Sequence, residues 1–241
     1  MTNKDEIQLP KHLGIIIDGN RRWAKAHKLT HSQGHYKGAE NLKTISLAAF
    51  RFGVQNVSAY VFSPETWHRS KEEVTYLMKV IVLFLDKHTA EFKDNDVKIV
   101  HVGAREGLPK GVLDALDKAI KQTAKCRSST LVLCINYDGQ QEIVDAVKKL
   151  LRQKIDPVRL KKDDVQKALC APELPPLELV VRTAGAYRTN SFMMWRAAHA
   201  EYIFVDKLWP DFTKQDLRFV LLYYAKKQKR FIGKELAATL K

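Results

Sequence analysis

One carboxylate stands between an apolar run and two arginines in the stretch GIIIDGNRRWAK, Gly14 to Lys25. Gly19 permits a tight backbone turn, and a helix that begins just after it would point free N–H groups and its positive dipole end at a phosphate. Arg22 adds a guanidinium that can bind phosphate through two hydrogen bonds. Asp18 repels phosphate but can hold a hard cation such as Mg²⁺, which bridges carboxylate and phosphate oxygens. The alternative is that Asp18 only caps the helix and that the arginines are solvated.

A second candidate anion site lies in the stretch RTAGAYRTN, Arg182 to Asn190. Arg182 and Arg188 flank a loop of small residues, and their guanidinium groups could hold a diphosphate together with the Asn190 amide. The alternative is a pair of surface arginines whose salt bridges contribute under about 1 kcal/mol each. Two such stretches in one chain favour a site for two phosphorylated groups.

Short β-branched runs alternate with helix-length segments, which predicts an open, mostly parallel sheet in one α/β domain. The runs are continuously apolar, as expected for strands that are covered on both faces. Ligands of such sheets bind beyond the carboxyl ends of the strands, where this chain has its polar clusters. The predicted strands are 14–17, 57–62, 97–102, 130–135, 178–181 and 202–205, and the clusters begin at Asp18, Ser63, Asn136 and Arg182.

The helical pattern of residues 71–92 contains an apolar segment, VIVLFL, at Val80 to Leu85. A helix that is apolar all round is by default buried in the core. The alternative is that one face lines an apolar cavity, and two diphosphate sites beside an apolar tunnel would suit a prenyl substrate. Amphipathic helices are also predicted at 38–53 (with Leu42, Ile45, Ala49 and Phe52 on one face), 108–125 and 140–153, and before a last helix Thr213 and Asp216 predict a cap.

The composition is that of a soluble globular protein of 241 residues, 45% apolar and 28% charged, with a net charge of +14. This charge favours nucleic acid, a lipid surface or a phosphorylated substrate as partner. The three cysteines lack C-x-x-C spacing, the N-terminus does not resemble a secretory signal, and the longest apolar run falls far short of the roughly 20 residues of a membrane span. We therefore expect a cytoplasmic protein with one domain over residues 1–241, in which 1–11 and 234–241 are flexible tails.

Five blocks of the sequence resemble, in order and spacing, the motifs of the cis-prenyltransferases, the undecaprenyl-diphosphate-synthase-like enzymes. The resemblance runs from about His12 to about Gly233, and the D-D-x-x-D motif of the all-helical trans-prenyltransferases is absent from the sequence. The blocks are HLGIIIDGNRRWAK, GHYKGAENL, YVFSPETWHRSKEEV, INYDGQQEI and ELVVRTAGAYRTNSFMMWRAAHAEYIFVDKLWPDF.

The resemblance implies a homodimeric α/β fold with a central, mostly parallel sheet and an apolar tunnel. It also implies a Mg²⁺-dependent condensation. An allylic diphosphate such as farnesyl diphosphate would ionise, isopentenyl diphosphate would attack it, and loss of a proton would leave a cis double bond in the polyprenyl diphosphate product.

The same resemblance assigns roles to individual residues. Asp18 corresponds to the Mg²⁺-linked catalytic carboxylate, and Glu201 to a residue that helps to bind Mg²⁺ at the isopentenyl diphosphate site. Asn20, Ser63 and Glu65 are further catalytic candidates. The allylic diphosphate would be held by Gly19, Asn20, Arg21 and Arg22, with His31 and His35 nearby and Trp23 beside the prenyl chain.

The remaining assignments concern the second substrate and the dimer. The segment that closes over and orients the substrates corresponds to Ser63, Glu65, Trp67, Arg69 and Glu73. Isopentenyl diphosphate would be bound by Arg182, Arg188 and Asn190, and the block from Trp195 to Phe212 would form the dimer contact.

Several motif positions depart from the family pattern, and these departures bear on isopentenyl diphosphate binding and on the native substrate pair. R-T-G-G-E is replaced by RTAGA, with Ala184 and Ala186. The Ser-Asn pair that follows appears as Asn190-Ser191, and an arginine before G-H is His31. N-Y-G-G-R appears as NYDGQ at 136–140, and S-x-E-N-W as SPETW at 63–67.

Other functions stay open at this level. One is irregular or short-chain prenyl coupling on the same fold, and another is a non-catalytic partner subunit, against which the presence of Asp18 argues. A nucleic-acid-binding protein would fit +14 and the run KKQKR at 226–230, but cations at a helix end favour a solvated face. We therefore expect no nucleic-acid partner. The basic surface also predicts peripheral association with anionic lipid. The sequence does not indicate product length.

Overall fold

Six parallel strands form one sheet in the computed structural model, which describes the backbone of residues 8–239 and the side chains of residues 8–228. The order across the sheet is β3-β4-β2-β1-β5-β6, and every neighbouring pair is parallel. The predicted parallel sheet is therefore confirmed, with strand ends within two residues of the prediction. The strands are β1 (His12–Ile16), β2 (Asn56–Phe62), β3 (Val97–Val102), β4 (Ser129–Ile135), β5 (Leu179–Arg182) and β6 (Glu201–Phe204).

Within residues 8–239, seven α-helices and three short 3₁₀ turns lie between and after the strands. The predicted cap of the last helix is confirmed, because the N–H of Asp216 donates to the Thr213 hydroxyl and the N–H of Thr213 donates to the Asp216 carboxylate. The helices are α1 (Asn20–Ala26), α2 (His31–Arg51), α3 (Lys71–Asp94), α4 (Lys110–Thr123), α5 (Gly139–Arg152), α6 (Lys162–Ala168) and α7 (Lys214–Thr239), and the 3₁₀ turns are Pro64–His68, Pro157–Arg159 and Trp209–Asp211.

Side chains alternate between the two faces of the sheet, and each face carries its own core. Leu13 and Ile15 pack with α2, α3, α4 and α7, whereas Ile16 packs on the other face with Phe192 and Met193. This double cover explains why the strands read as continuous apolar runs. The prediction for Phe52 was wrong: α2 ends at Arg51, so Phe52 lies at the C-cap and is 38% exposed.

The predicted N-terminal tail is too long. Leu9 packs against the core, and the N–H of Lys11 donates to the Glu178 carboxylate at 2.6 Å, so residues 8–11 belong to the folded domain. Residues 1–7 and 240–241 lie outside the described part of the chain. At the other end, α7 continues to Thr239 and so includes most of the predicted C-terminal tail.

β1 lies between β2 and β5. The chain adds β2, β3 and β4 toward one edge of the sheet and then β5 and β6 toward the other edge. A crevice is expected where strand order reverses in this way, beyond the carboxyl ends of the strands. Asp18, Ser63 and Arg182 all lie at these ends. Among residues 8–239, no helix is both long and apolar enough to cross a bilayer.

Candidate active site

Asp18 follows β1 directly and is fixed by its backbone. The Thr183 hydroxyl donates to the Asp18 carbonyl at 2.7 Å and accepts from the Asp18 N–H at 3.1 Å. Gly19 then turns the chain with a φ of 110°, and a Cβ there would meet Leu208 and Ala184 at 3.0 Å. The Asp-Gly pair thus makes the turn from β1 into α1 possible.

The Asp18 carboxylate has an arginine partner that the sequence pattern did not identify. Its Oδ2 accepts from Nη2 of Arg182 at 2.9 Å, and Nη2 of Arg22 lies 3.7 Å from Oδ1. Arg182 is 4% exposed at its side chain and Asp18 is 32% exposed. The pair arises because β1 and β5 are neighbours, with Ile16 in register with Arg182.

A basic pocket of about 410 Å³ lies between the end of β1, α1 and the start of α2. It brings together the residues that the family resemblance assigned to the allylic diphosphate, apart from Trp23. The sequence pattern missed Lys25, although Lys25 is four residues after Arg21 and so shares its helix face. The lining residues are Ile17, Asp18, Gly19, Asn20, Arg21, Arg22, Lys25, His31, His35 and Arg69.

Glu73 organises the basic side chains of this pocket. Its Oε1 accepts from Nη1 of Arg69 at 2.9 Å and from Nε2 of His35 at 3.1 Å, and Nε of Arg21 lies at 3.8 Å. Burial acts to raise the pKa of Glu73, but the hydrogen bonds from His35 and Arg69 outweigh it and lower the pKa. Burial also lowers the pKa of His35, against the effect of Glu73. An ionised Glu73 therefore orients a neutral His35 and two arginines.

A second pocket, of about 300 Å³, lies at the carboxyl ends of β1, β2 and β5. Nη1 of Arg182 and Nε of Arg188 both donate to Oδ1 of Asn190, at 2.9 and 3.2 Å. The two guanidinium groups thus converge on one oxygen, which is an arrangement suited to a phosphate oxygen. The predicted residues Ser63, Glu65, Arg69, Arg182, Arg188 and Asn190 line this pocket, together with Tyr60 and Thr66, which the sequence pattern missed.

The two pockets share a wall, and an apolar cavity adjoins them. Ile17, Asp18 and Arg69 line both pockets, while Ile17, Asn20 and His35 line the basic pocket and the cavity. The cavity is about 50 Å³ and lies between the sheet, α2 and α3. One face of the VIVLFL segment lines it through Val80, Ile81 and Phe84, whereas Leu83 does not line it and is 51% exposed.

Two tryptophans that the resemblance assigned to the substrates, Trp23 and Trp67, line neither of the two pockets. In α1, which begins at Asn20, Arg21, Arg22 and Lys25 face the pocket and Trp23 is buried on another face. Nε1 of Trp23 donates to Asp211 at 2.7 Å. Trp67 lines neither pocket. Its Nε1 donates to Oδ1 of Asn136 at 2.9 Å, and its ring packs on Phe62.

Glu201 is not brought together with Asp18 in this chain. It begins β6, in register with Leu179 and, through β5, with Leu13. Because Leu13 precedes Asp18 by five residues of extended chain, Glu201 lies roughly 16 Å along the strand direction from Asp18. The Glu201 carboxylate instead accepts from Nζ of Lys227 at 2.8 Å.

Asp18 alone among the predicted metal ligands fits a magnesium ion at the pockets. Within the described side chains, no group of three or more His, Cys, Asp or Glu forms a ready cage for a metal. Proteins usually hold Mg²⁺ with one or two carboxylates and complete its shell with substrate phosphates and water. A part-exposed carboxylate in the wall between two basic pockets meets that requirement.

The polar cluster that begins at Asn136 supports the site without lining either pocket. Asp138 caps α5, because its Oδ1 accepts from the N–H groups of Gln140 and Gln141. Its Oδ2 accepts from the Ser191 hydroxyl at 2.9 Å, next to Asn190. Asn136 holds Trp67, as described above.

Known proteins resemble this chain over nearly its whole length. A family model described as "Putative undecaprenyl diphosphate synthase" matches residues 16–232. An isoprenyl transferase of Streptococcus thermophilus is 36% identical over 233 residues, covering 93% of this chain and 94% of its own. An isoprenyl transferase of Thermotoga maritima is 35% identical over 229 residues, covering 94% and 98%.

The fold has a close structural counterpart. The crystal structure of lavandulyl diphosphate synthase from Lavandula x intermedia, in complex with dimethylallyl diphosphate, superposes with a TM-score of 0.87 at 30% identity, covering 92% of this chain and 97% of the synthase. A family match of this extent, with relatives at more than a third identity, shows that the chain belongs to the undecaprenyl diphosphate synthase family of prenyltransferases, enzymes that transfer prenyl groups.

Proposed function

We propose that this protein condenses isopentenyl diphosphate with an allylic diphosphate, such as farnesyl diphosphate, to form a cis-polyprenyl diphosphate in a Mg²⁺-dependent reaction. The observation that carries the proposal is the shared wall. Asp18 and Arg69 stand between two arginine-lined pockets, so two diphosphate groups could lie on either side of one carboxylate. The apolar cavity begins at the same wall, where a prenyl chain would need to enter.

The basic pocket suits the allylic substrate because it borders the cavity. Arg21, Arg22 and Lys25 would bind its diphosphate, and Ile17 and Asn20 would lie beside its first carbons. A cavity of about 50 Å³ is small for a prenyl chain, so Leu77 and Phe84 of α3 would have to move aside as the chain enters.

The second pocket would then hold isopentenyl diphosphate through Arg182, Arg188 and Asn190, with its double bond toward the allylic carbon. The allylic C–O bond would break with its electron pair passing to the diphosphate, the double bond of isopentenyl diphosphate would attack the cation, and the released diphosphate would take the proton that the new chain loses. Mg²⁺ held by Asp18 would neutralise the charge that develops on the leaving diphosphate. Arg22 and Arg69 would add fixed positive charge at the same place.

The test is incorporation of radiolabelled isopentenyl diphosphate into extractable lipid, with farnesyl diphosphate and Mg²⁺ supplied and the products separated by chain length. We expect labelled cis-polyprenyl diphosphates that disappear when EDTA is added. Absence of labelled product from folded protein with any allylic diphosphate would overturn the proposal.

A second candidate is coupling of short allylic diphosphates. The lavandulyl diphosphate synthase that this chain resembles was crystallised with dimethylallyl diphosphate, a five-carbon allylic substrate. The small cavity fits a short substrate as well. Incubation with dimethylallyl diphosphate alone separates the two candidates, because only direct coupling of two allylic molecules yields product without isopentenyl diphosphate.

We also propose a homodimer through β6 and α7. β6 is an edge strand, and the neighbouring α7 exposes Phe219 (70%), Leu222 (43%) and Tyr223 (45%) on one face. Trp209 and Phe212 of the predicted dimer block are buried within the chain, so they would not contribute. Light scattering should give twice the monomer mass for the wild type and the monomer mass for Phe219→Asp; a monomeric wild type would refute the dimer.

Peripheral membrane association is proposed at α5 and the turn that follows it. Leu151 is 69% exposed and Val158 is 93% exposed, and residues 144–162 carry seven Lys or Arg against two Asp. Apolar side chains among cations suit an anionic lipid surface. We expect flotation with vesicles that contain phosphatidylglycerol, and less of it for the Leu151→Asp, Val158→Asp double variant. Equal flotation of both proteins would refute this surface.

A further inference from the structure

The turn that carries Asn190 has an unusual backbone. Asn190, Ser191 and Met193 have φ values of 47°, 56° and 44°, all in the left-handed region that residues other than glycine rarely adopt. Such conformations persist where the surrounding structure determines them, and they concentrate at functional sites. The contacts that hold this turn are therefore informative.

Besides the two arginines, three side chains hold the turn: Glu65, whose Oε2 accepts from Nδ2 of Asn190 at 3.4 Å, Asp138 at the start of α5, and Tyr60 of β2. The Ser191 hydroxyl donates to Oδ2 of Asp138 at 2.9 Å. The Tyr60 hydroxyl lies 3.1 Å from the Asn190 carbonyl and 3.0 Å from the Tyr137 carbonyl, and burial raises the pKa of Tyr60, so the hydroxyl stays protonated as a donor. The contacts of Asp138 and Tyr60 thus hold the Ser191 hydroxyl and the Asn190 carbonyl, next to the Asn190 side chain.

The start of α5 is shaped to receive the turn. A Cβ at Gly139 would lie 2.0 Å from the Ser191 carbonyl oxygen, so only glycine permits this approach. Oδ1 of Asp138 caps α5 through Gln140 and Gln141, while its Oδ2 holds Ser191. One carboxylate therefore joins the helix to the turn.

We propose that Asp138 and Ser191 are positioning residues for the second pocket. They hold Asn190 where its Oδ1 gathers Arg182 and Arg188, and so they set the spacing at which the two guanidinium groups meet a diphosphate. Neither residue lines the pocket, so both act through Asn190. The proposal rests on the proposed function of the pocket.

The main test is Ser191→Ala, which removes the hydrogen bond and leaves the α5 cap intact. Calorimetry with isopentenyl diphosphate alone measures binding without turnover, and steady-state kinetics gives KM and kcat for both substrates. We expect Kd and KM for isopentenyl diphosphate to rise about tenfold, as for loss of a hydrogen bond to a charged group. The KM for the allylic substrate and kcat should change less than about twofold.

Two further variants distinguish positioning from a general effect on folding. Asp138→Asn keeps an oxygen for the cap and an amide that can bond to Ser191, so it should bind nearly as the wild type does. Ser128→Ala removes a comparable Ser–Asp bond, to Asp96 far from the site, and should leave KM unchanged. If Ser191→Ala fails to fold, Ser191→Gly serves instead, because glycine favours the left-handed backbone.

The outcomes separate the two proposals. If the wild type binds isopentenyl diphosphate and Ser191→Ala binds it equally well, the positioning role is refuted, even if the melting temperature falls. If the wild type itself neither binds isopentenyl diphosphate nor forms product, the proposed function of the pocket is refuted.

Discussion

The Asp18 carboxylate contacts two arginines, one that is near it in the sequence and one that is distant. Arg22 lies one helical turn away, whereas Arg182 comes from β5 and is almost completely buried. The wall between the pockets therefore carries one negative charge that both guanidinium groups stabilise. A substitution that removes the charge but keeps an oxygen tests the chemistry of Asp18 and leaves Nη2 of Arg182 with an acceptor.

We predict that Asp18→Asn lowers kcat by about 10²- to 10³-fold with the fold retained. The amide oxygen can still accept from Arg182, but it loses the charge that would hold Mg²⁺ at the leaving diphosphate, and one preorganised electrostatic contact contributes about 3–4 kcal/mol. Labelled isopentenyl diphosphate incorporation gives kcat, and near-ultraviolet circular dichroism checks the fold. Asp86→Asn, at an exposed salt bridge to Lys118, is the matched control. Wild-type kcat in Asp18→Asn would exclude a catalytic role.

Local sequence predicted the residues that are neighbours in the chain. Gly19, Arg21 and Arg22 must lie near Asp18, because a strand, a tight turn and a helix leave them little choice. The Arg182 partner could not be predicted, since it depends on which strand pairs with β1. The sequence also could not show that Trp23 and Trp67 lie outside the two pockets, because the direction of a side chain depends on the residue at which its helix begins and on what packs beside it.

At the scale of elements, α1 and α2 approach closely through two glycines. A Cβ at Gly34 would lie 2.3 Å from the Asn20 carbonyl, and one at Gly38 would lie 2.3 Å from the Asn20 side-chain oxygen. That side-chain oxygen is buried and has no hydrogen-bond partner among the described residues. Asn20 lines both the basic pocket and the apolar cavity. The close packing of Gly34 and Gly38 against Asn20 therefore holds this side chain in place where the pocket meets the cavity.

We predict that Gly38→Ala lowers the free energy of unfolding by about 1–3 kcal/mol, the usual cost of adding a methyl group to a packed interface. The displaced Asn20 should also raise the KM for the allylic diphosphate. Urea unfolding and steady-state kinetics measure the two effects.

Gly111→Ala is the control for the helix itself. Gly111 lies in α4 with nothing within 4 Å of a Cβ, so alanine there should leave stability unchanged or raise it by up to about 1 kcal/mol. A Gly38→Ala protein as stable and as active as Gly111→Ala would show that the α1–α2 contact does not position Asn20.

The elements themselves were largely predictable. Continuous apolar runs located all six strands, and amphipathic periods located the longer helices, because burial on both faces or on one face leaves a direct trace in the sequence. Helix ends were less certain: Phe52 fits the apolar period of α2 but lies one residue beyond the end of the helix.

At the scale of the whole molecule, strand order decides which residues meet. The order β2-β1-β5 gathers three carboxyl ends into two pockets, while parallel register places Glu201 at the opposite edge. A sequence motif gives the order of its residues along the chain, but it does not give the register in which its strand pairs with the neighbouring strand. The sequence therefore could not show that Asp18 and Glu201 of the same chain lie at opposite ends of their strands.

A buried histidine links the sheet to the segment before β5. Nε2 of His12 on β1 lies 2.7 Å from the Ser58 hydroxyl on β2, and its Nδ1 lies 2.8 Å from the Pro175 carbonyl. Burial, with a smaller contribution from the positive charge of Arg196, lowers the pKa of His12 to about 4 from its ordinary 6.5, despite the hydrogen bond to Pro175. The folded protein therefore holds this ring neutral at pH values where the unfolded chain protonates it.

This difference makes the stability of the whole domain depend on pH. Between about pH 6.5 and pH 4 the unfolded chain binds one more proton at His12, so the free energy of unfolding falls as the pH falls through that range. We predict that His12 contributes about 2 kcal/mol to the loss between pH 7 and pH 4.5. Urea unfolding of the wild type and of His12→Gln at both pH values isolates the contribution, because other titrating groups act in both proteins. His12→Gln should be less stable at pH 7, where it lacks a ring that fits the site, but should lose about 2 kcal/mol less on acidification. Equal losses in the two proteins would mean that His12 is not the group whose protonation opposes folding.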